Sequence, residues 1–370
     1  MKASILSALS VFFIFLSGCT ASHKQFLYVV GAGTNEIFEF QLHGNGTLTP
    51  LASANVPTGS NPSSIAIHSP GDFIYIANAG GNDILLLDIN RGNGELLTPP
   101  TNSALPPLTP PNIFSVPGVE PKAIAISPTG PFLFTANHTS GDVSSFVLDP
   151  SNGNLGTPAA VSAGAGPVHP IAVAVSPQGN LLYTANPAEG SISGFTIDSK
   201  GNLALLAGAP FSTGAGTSPS SVTFDPSGRF LYVTDSANNV VLGFSVQSNG
   251  NLSPLNGSPF PAGATPTAAA TDTQGALLFV ANAASNNVSV FVIDSGSGAL
   301  GAVSGSPFAT GGRGPSFVTV DPTGNFVYVA DQLTNDVAAF ALNGNGTLTA
   351  IAGSPINVPT SPVWISIAKE

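Results

Sequence analysis

FIYIAN, running from Phe73 to Asn78, is the stretch on which the fold turns, because six further copies of it recur along the chain. FLFTAN begins at Phe132, LLYTAN at Leu181, FLYVTD at Phe230, LLFVAN at Leu277 and FVYVAD at Phe326, with a divergent first copy, FLYVVG, at Phe26. Start-to-start spacings are 47, 59, 49, 49, 47 and 49 residues. Self-similarity near this period signals stacked supersecondary units, none of which can bury its apolar faces alone.

Each unit reads as four strands. A segment opening on proline comes first: PSSIAIHSPGD from Pro62, PKAIAISPTGP from Pro121 and PIAVAVSPQGN from Pro170, with equivalents at Pro219, Pro266, Pro315 and Pro362. A Pro/Gly turn follows, as in Ser127-Pro128-Thr129-Gly130, where proline presets φ and glycine supplies a positive one. The aromatic run is the second strand. It does not alternate with polar residues, so both its faces should be covered. Asn-Asn-Val at Asn286 or Asn-Asp-Val at Asn335 leads to a third strand, and a Gly/Asn turn leads to a fourth that ends in Gly-Ser-Pro-Phe at Gly257 and Gly305. Proline on that outer strand blunts edge-to-edge pairing. Four short antiparallel strands per unit suit radial blades around a channel, and small residues such as Ala125, Ala172 and Ala268 suit the crowded axis. The chain enters at second-strand sequence, Phe26, and ends on a lone first-strand segment, Pro362 to Ala368. An all-β, seven-bladed β-propeller of four-stranded antiparallel blades is predicted over 26–370, closed by the C-terminal strand joining the N-terminal blade.

Charged residues make up only 7% of the chain, so Ser, Thr, Asn and backbone must wet its surface. The net charge of −11 opposes phosphate backbones and anionic lipid headgroups, which excludes nucleic acid as a partner. The 42% hydrophobic content suffices for a large core, and the molecule is expected to be a monomer.

The N-terminus is a separate object. Lys2 precedes a mostly apolar run from Ile5 to Leu16, too short to span a bilayer, and Leu16-Ser17-Gly18-Cys19 resembles the lipobox of bacterial lipoproteins. Residues 1–18 are therefore expected to be a lipoprotein signal peptide, and 19–25 a lipidated Cys19 with a short tether. Cys19 is the only cysteine, so no internal disulfide and no Cys-rich metal cluster can form. Acyl chains on it would anchor the protein to a membrane of the bacterial cell envelope.

The [FL]-[LIV]-[YF]-[VT]-[AT]-[ND] runs, preceded by P-x-x-[IV]-x-[IVF]-x-P-x-G, resemble YVTN-type propellers over Phe26 to Ala368. More narrowly, they resemble the seven-bladed lactonase family, with its 6-phosphogluconolactonase-like and carboxymuconate-cyclising members. The resemblance implies the propeller fold and, as an activity, the opening of a lactone. Its motifs are core and turn residues, none of them catalytic.

Candidate chemistry is sought in the loops entering each first strand and leaving each second strand. Asn78, Asn137, Asn186, Asp235, Asn282 and Asp331 end the second strands, with Gly31 in the divergent blade. They read either as a channel-mouth ring of ligands for a cation or polyol, or as side chains closing local turns; recurrence in nearly every blade favours the turns. Asymmetry marks two neighbouring blades. Glu120 and Lys122 flank Pro121, His138 follows Asn137, and His169 precedes Pro170. Beside them lies an insertion at 96–119 carrying seven prolines between Pro99 and Pro117, expected at the channel mouth as a lid or a docking edge. Arg313, three blades round, is expected to face them, with pairing to Asp331 in its own blade as the alternative. Glu120, His138, His169 and Arg313 form a candidate general acid/base set for opening a lactone.

Only three arginines exist, with Arg91 and Arg229 in turns on the opposite rim, so a phosphate clamp is missing and 6-phosphogluconolactone is not expected as substrate. No cofactor and no metal site is predicted. The favoured reading is an exported, lipid-anchored propeller that binds a protein, saccharide or lactone at its channel mouth as a binding or scaffolding module. The alternative is a lactonase acting on a sugar lactone.

Overall fold

The computed structural model describes residues 24–52, 55–68, 72–97 and 112–369. The leader, Cys19 and the start of the tether lie outside the described residues, as do positions 98–111 of the Pro-rich insertion.

Seven antiparallel sheets stand around one axis, and each is built as the repeat predicts. In blade 2, Pro62–Ile67 lies innermost, followed outward by Phe73–Asn78 and Asp83–Ile89. Blades 3 to 7 begin at Pro121–Ile126, Ala172–Val175, Pro219–Phe224, Pro266–Thr271 and Pro315–Val320. In blade 1 the C-terminal strand Pro362–Lys369 pairs with Gln25–Gly31, in register from Gln25 with Lys369 to Val30 with Trp364. Closure is therefore a hydrogen-bonded ladder between the two ends of the chain.

The second strands carry the core. Every residue of Phe73–Asn78 and of Phe230–Asp235 is buried, as an unalternating apolar run between two neighbouring blades requires. The five tyrosines of the chain all lie in these strands and bind the next blade. The hydroxyls of Tyr28, Tyr75, Tyr183, Tyr232 and Tyr328 donate to the backbone carbonyls of Gly94, Gly153, Gly250, Gly298 and Gly46 at 2.5–2.8 Å. Glycine is needed at these turns: Gly94 has φ +77°, and a Cβ there would lie 2.1 Å from the Phe26 ring.

The outer strand is broken in six of the blades, both pieces pairing with the same third strand. The break leaves an unpaired third-strand N–H, and the serine of Gly-Ser-Pro satisfies it. Gly243, Val290 and Ala339 N–H groups donate to Ser258, Ser306 and Ser354 Oγ at 3.0, 2.8 and 2.8 Å. This geometry corrects the expected place of the Pro-rich insertion. Its flanks, Leu96–Leu97 and Ile113–Ser115, are the two pieces of blade 2's outer strand, both paired to Asp83–Ile89. The insertion thus springs from the perimeter and not from the channel mouth.

Two belts join the inner strands near the rim. Ser63, Ser220, Thr267 and Ser316 hydroxyls donate to the carbonyls of Pro121, Pro266, Pro315 and Pro362, each in the following blade, at 2.6–2.9 Å. Above them, Asn35, Asn82, Asn239 and Asn286 Oδ1 accept from the N–H of Asn61, Glu120, Thr265 and Gly314 at 2.7–2.9 Å. These asparagines sit at φ 55° to 61°, a conformation asparagine tolerates better than most residues.

Candidate functional site

Both belts fail at the seam between blades 3 and 4. There Lys122 stands in place of the hydroxyl and Gly141 in place of the asparagine; Ile171 and Gly190 carry the gap on to the seam of blades 4 and 5, and Val363 interrupts the hydroxyl belt in blade 1. The interruption leaves the His169 N–H without its asparagine, and five ionisable residues, Glu120, Lys122, His138, His169 and Glu189, gather at this seam.

Glu120 holds the first group together. Its Oε1 lies 2.7 Å from Lys122 Nζ, while Oε2 lies 2.9 Å from His138 Nδ1 and accepts the Thr139 hydroxyl at 2.5 Å. The Lys122 hydrogen bond, then those of Thr139 and His138, hold its carboxyl down to about 2, so it is ionised throughout the physiological range. Because an ionised carboxylate only accepts, His138 carries a proton on Nδ1 and its Nε2 is the free position. Glu120 adopts this post at φ +63°, a region unfavourable for a glutamate and worth attention when it occurs beside charged groups.

His169 is held by a residue the sequence reading passed over. Glu189 Oε1 lies 2.5 Å from His169 Nδ1, and its Oε2 accepts the His169 backbone N–H at 3.1 Å. Asparagine of the preceding blade takes the equivalent N–H at four other seams; here that blade has Gly141, and Glu189 substitutes for it. The glycines at positions 141 and 190, where five blades carry asparagine, were the available signal. The rings of His138 and His169 then approach to 5.4 Å between centroids, tilted by 51°. Glu120, His138, His169 and Glu189 therefore form two carboxylate–imidazole pairs set side by side, a quarter to a third of each side chain open to solvent.

Directly inside the rim lies the central channel, a cavity of 940 Å³ to which Lys122, Ile171, Phe317, Gln332 and Trp364 all contribute. Arg313 does not join the cluster. Its side chain is exposed on blade 7, and no ion pair among the described residues involves it, Asp331 included. Both expectations for Arg313 are thereby corrected, since its backbone rather than its guanidinium makes the local contacts, to Thr334 and Leu333.

The second-strand asparagines and aspartates are likewise not a ring open to ligands. Asn78, Asn137, Asn186, Asp235, Asn282 and Asp331 are all 0% exposed. Asn137 Nδ2, for example, donates to Asp142 Oδ1 at 2.6 Å and to Ser144 Oγ at 2.8 Å, and Asp235 Oδ1 accepts the Ser218 N–H at 2.8 Å. They close hairpins and entry loops. At Gly31 the equivalent space is filled by the Thr360 side chain, 2.1 Å from where a Cβ would stand.

Comparison with known proteins agrees with this architecture. Structures from Bacteroides uniformis, provisionally assigned as a 6-phosphogluconolactonase, and of the periplasmic gluconolactonase of Pseudomonas aeruginosa superpose with TM-scores of 0.78 and 0.74. They share 21% and 22% identity, over 94% and 93% of this chain and 99% of each of theirs. At that identity the likeness is one of fold. The 6-phosphogluconolactonase of Bacillus subtilis is 24% identical over 139 residues, so the match spans 38% of this chain and 38% of that enzyme. The family model described as lactonase, 7-bladed beta-propeller matches residues 19–207 and 160–307. With most of the chain under that model and seven blades closed in the expected register, the protein belongs to the seven-bladed lactonase β-propeller family.

Proposed function

We propose that the protein is a lactone hydrolase whose reacting groups are the carboxylate–imidazole pairs at the seam of blades 3 and 4. The observation carrying this reading is the approach of His138 and His169 to 5.4 Å, each with Nδ1 against its own glutamate, in a chain of the lactonase family. A carboxylate on Nδ1 fixes the tautomer with a lone pair on Nε2 and stabilises the imidazolium once a proton arrives. Two such groups side by side supply what ester hydrolysis requires. One imidazole takes a proton from water as its oxygen attacks the lactone carbonyl carbon. The Lys122 ammonium, reaching into the channel from the same cluster, offsets charge on the carbonyl oxygen. As the ring C–O bond breaks, the imidazolium so formed returns that proton to the departing oxygen, directly or through the imidazole beside it, leaving a hydroxy acid and both rings neutral again. The atoms balance with water as the only co-reactant.

Scaffolding at the envelope, the other reading, has no comparable observation behind it. A binding surface alone does not call for two glutamates each dedicated to one imidazole. The envelope location remains part of the proposal through the Leu16–Cys19 stretch.

The test is turnover of D-glucono-δ-lactone, followed by proton release, against a buffer blank and against a Glu120→Gln, His169→Ala double variant. A rate well above blank that the double variant loses is expected. A protein indistinguishable from blank on six-membered and five-membered sugar lactones overturns the reading. A rate that survives the double variant moves the site elsewhere.

A further inference from the structure

The third residue of the innermost strand is small in five blades: Ser64, Ala123, Ala172, Ser221 and Ala268. In blades 7 and 1 it is Phe317 and Trp364. Their rings stack at 4.1 Å between centroids, 29° from parallel, and both line the channel. Trp364 is the only tryptophan of the chain, and it stands two blades round from Lys122 and three from Ile171. A tryptophan in such surroundings usually finds a hydrogen-bond partner for its indole N–H. Here the indole N–H has none among the described residues, and neither does the side-chain amide of Gln332, which lines the same channel. An aromatic wall with a few uncommitted polar groups is the usual composition of a small-molecule site, and donors without partners suit the hydroxyls of a polyhydroxylated ring.

Charge narrows the ligand further. Among the described residues Lys122 is the only lysine or arginine lining the channel, and with Glu120 2.7 Å away it offers a single cation whose charge is already shared with a carboxylate. A phosphate monoester carries nearly two negative charges and is normally held by arginines or several cations. In this channel it would instead meet a rim bearing Glu120 and Glu189 in a chain of net charge −11.

We infer that Phe317 and Trp364 form the platform on which an uncharged sugar lactone lies, with its apolar ring face on the indole and its hydroxyls toward Gln332 and the indole N–H. This deepens the lactonase reading and rests on it for the reaction, but not for binding. Phosphorylated lactones are excluded as good substrates by the same arrangement.

The lone tryptophan makes the test direct, because all indole fluorescence of the protein comes from Trp364. Titration with D-glucono-δ-lactam, which is uncharged and resists hydrolysis, should change the intensity or wavelength of that emission saturably, and 6-phosphogluconate should not. In steady-state turnover of D-glucono-δ-lactone, Trp364→Ala should raise KM about tenfold with kcat changed less than about threefold, while Trp364→Phe, which keeps the stack, should stay within about threefold of the parent in KM. Saturable fluorescence change without any turnover would uphold the platform and sink the lactonase reading. Turnover with an unchanged KM in Trp364→Ala and no fluorescence response would sink the platform and leave the lactonase reading intact. Should Trp364→Ala fail to fold, the fluorescence titration of the parent decides. Turnover of 6-phosphogluconolactone at a higher kcat/KM than the unphosphorylated lactone also overturns the inference.

Discussion

Asp331 and Asp336 face each other across a hairpin of blade 7 at a position where other blades join an amide to an acceptor. Asn78 donates to Asp83, Asn137 to Asp142 and Asn282 to Asn287 at 2.6, 2.6 and 2.9 Å in the matching register. In blade 7 both partners are carboxyls, and Asp331 Oδ2 and Asp336 Oδ1 are buried without a partner, both packed against Gly312. Only a retained proton can stand in for the missing amide hydrogen. Burial raises the Asp331 carboxyl to about 7; the Thr310 hydroxyl, bonded at 3.0 Å, lowers it, and the Asp336 charge raises it further.

This pair makes stability fall with rising pH. Near and below 3.8, folded and unfolded chains both hold the proton and the pair does not oppose folding. Between there and about 7 the unfolded chain ionises while the folded one stays protonated, so the contribution declines by up to about 1.4 kcal/mol per pH unit. Asp331→Asn restores the amide of the sister blades and should flatten this slope. Denaturant midpoints measured from pH 4 to 8 should show the variant gaining on the parent by about 1–3 kcal/mol at pH 8. A variant less stable than the parent at pH 8 contradicts the shared proton.

Tyr75→Phe tests the hydroxyl links between blades. Tyr75 is fully buried, and its hydroxyl donates to Gly153 O at 2.6 Å, whereas blades 3 and 6 carry Phe134 and Phe279 at the same register and form no such link. Loss of the hydroxyl strands a buried carbonyl and should cost about 1–2 kcal/mol in urea unfolding. Lactone turnover should be unaffected, since Tyr75 lies away from the seam of blades 3 and 4. An unchanged midpoint would mean that water or a shifted backbone satisfies Gly153.

Glu189 should act through His169 and not independently. We expect His169→Ala to lower kcat for D-glucono-δ-lactone about 10²- to 10³-fold, and Glu189→Gln to lower it by at least tenfold through loss of the fixed tautomer. In the double variant the two losses should fail to add, because Glu189 has nothing left to orient. Multiplicative losses would show that Glu189 touches the reacting atoms itself.

Cys19→Ala should release the protein from the membrane fraction of a bacterial host, because acyl chains on Cys19 are the anchor that the Leu16-Ser17-Gly18-Cys19 stretch implies. Retention of the variant through a high-salt wash would refute acylation at Cys19.

Blade number, strand order within a blade and the closing strand were legible in the sequence, because each rests on local, repeated chemistry. Proline and glycine set a turn wherever they occur, and an unalternating run such as Phe73 to Asn78 needs cover on both faces whatever its neighbours are. Glu120, His138 and His169 could also be picked out, as departures from the repeat. What the repeat could not decide was how side chains meet between blades, which depends on the curvature that closes the ring. Glu189 reaches His169 only because Gly141 leaves an N–H unclaimed at that seam, and Phe317 meets Trp364 only because the last strand joins the first blade. Tertiary structure also put the two flanks of the Pro-rich insertion, Leu96–Leu97 and Ile113–Ser115, on the outer strand of blade 2 and buried the asparagine ring, since each hairpin draws its own Asx side chain inward.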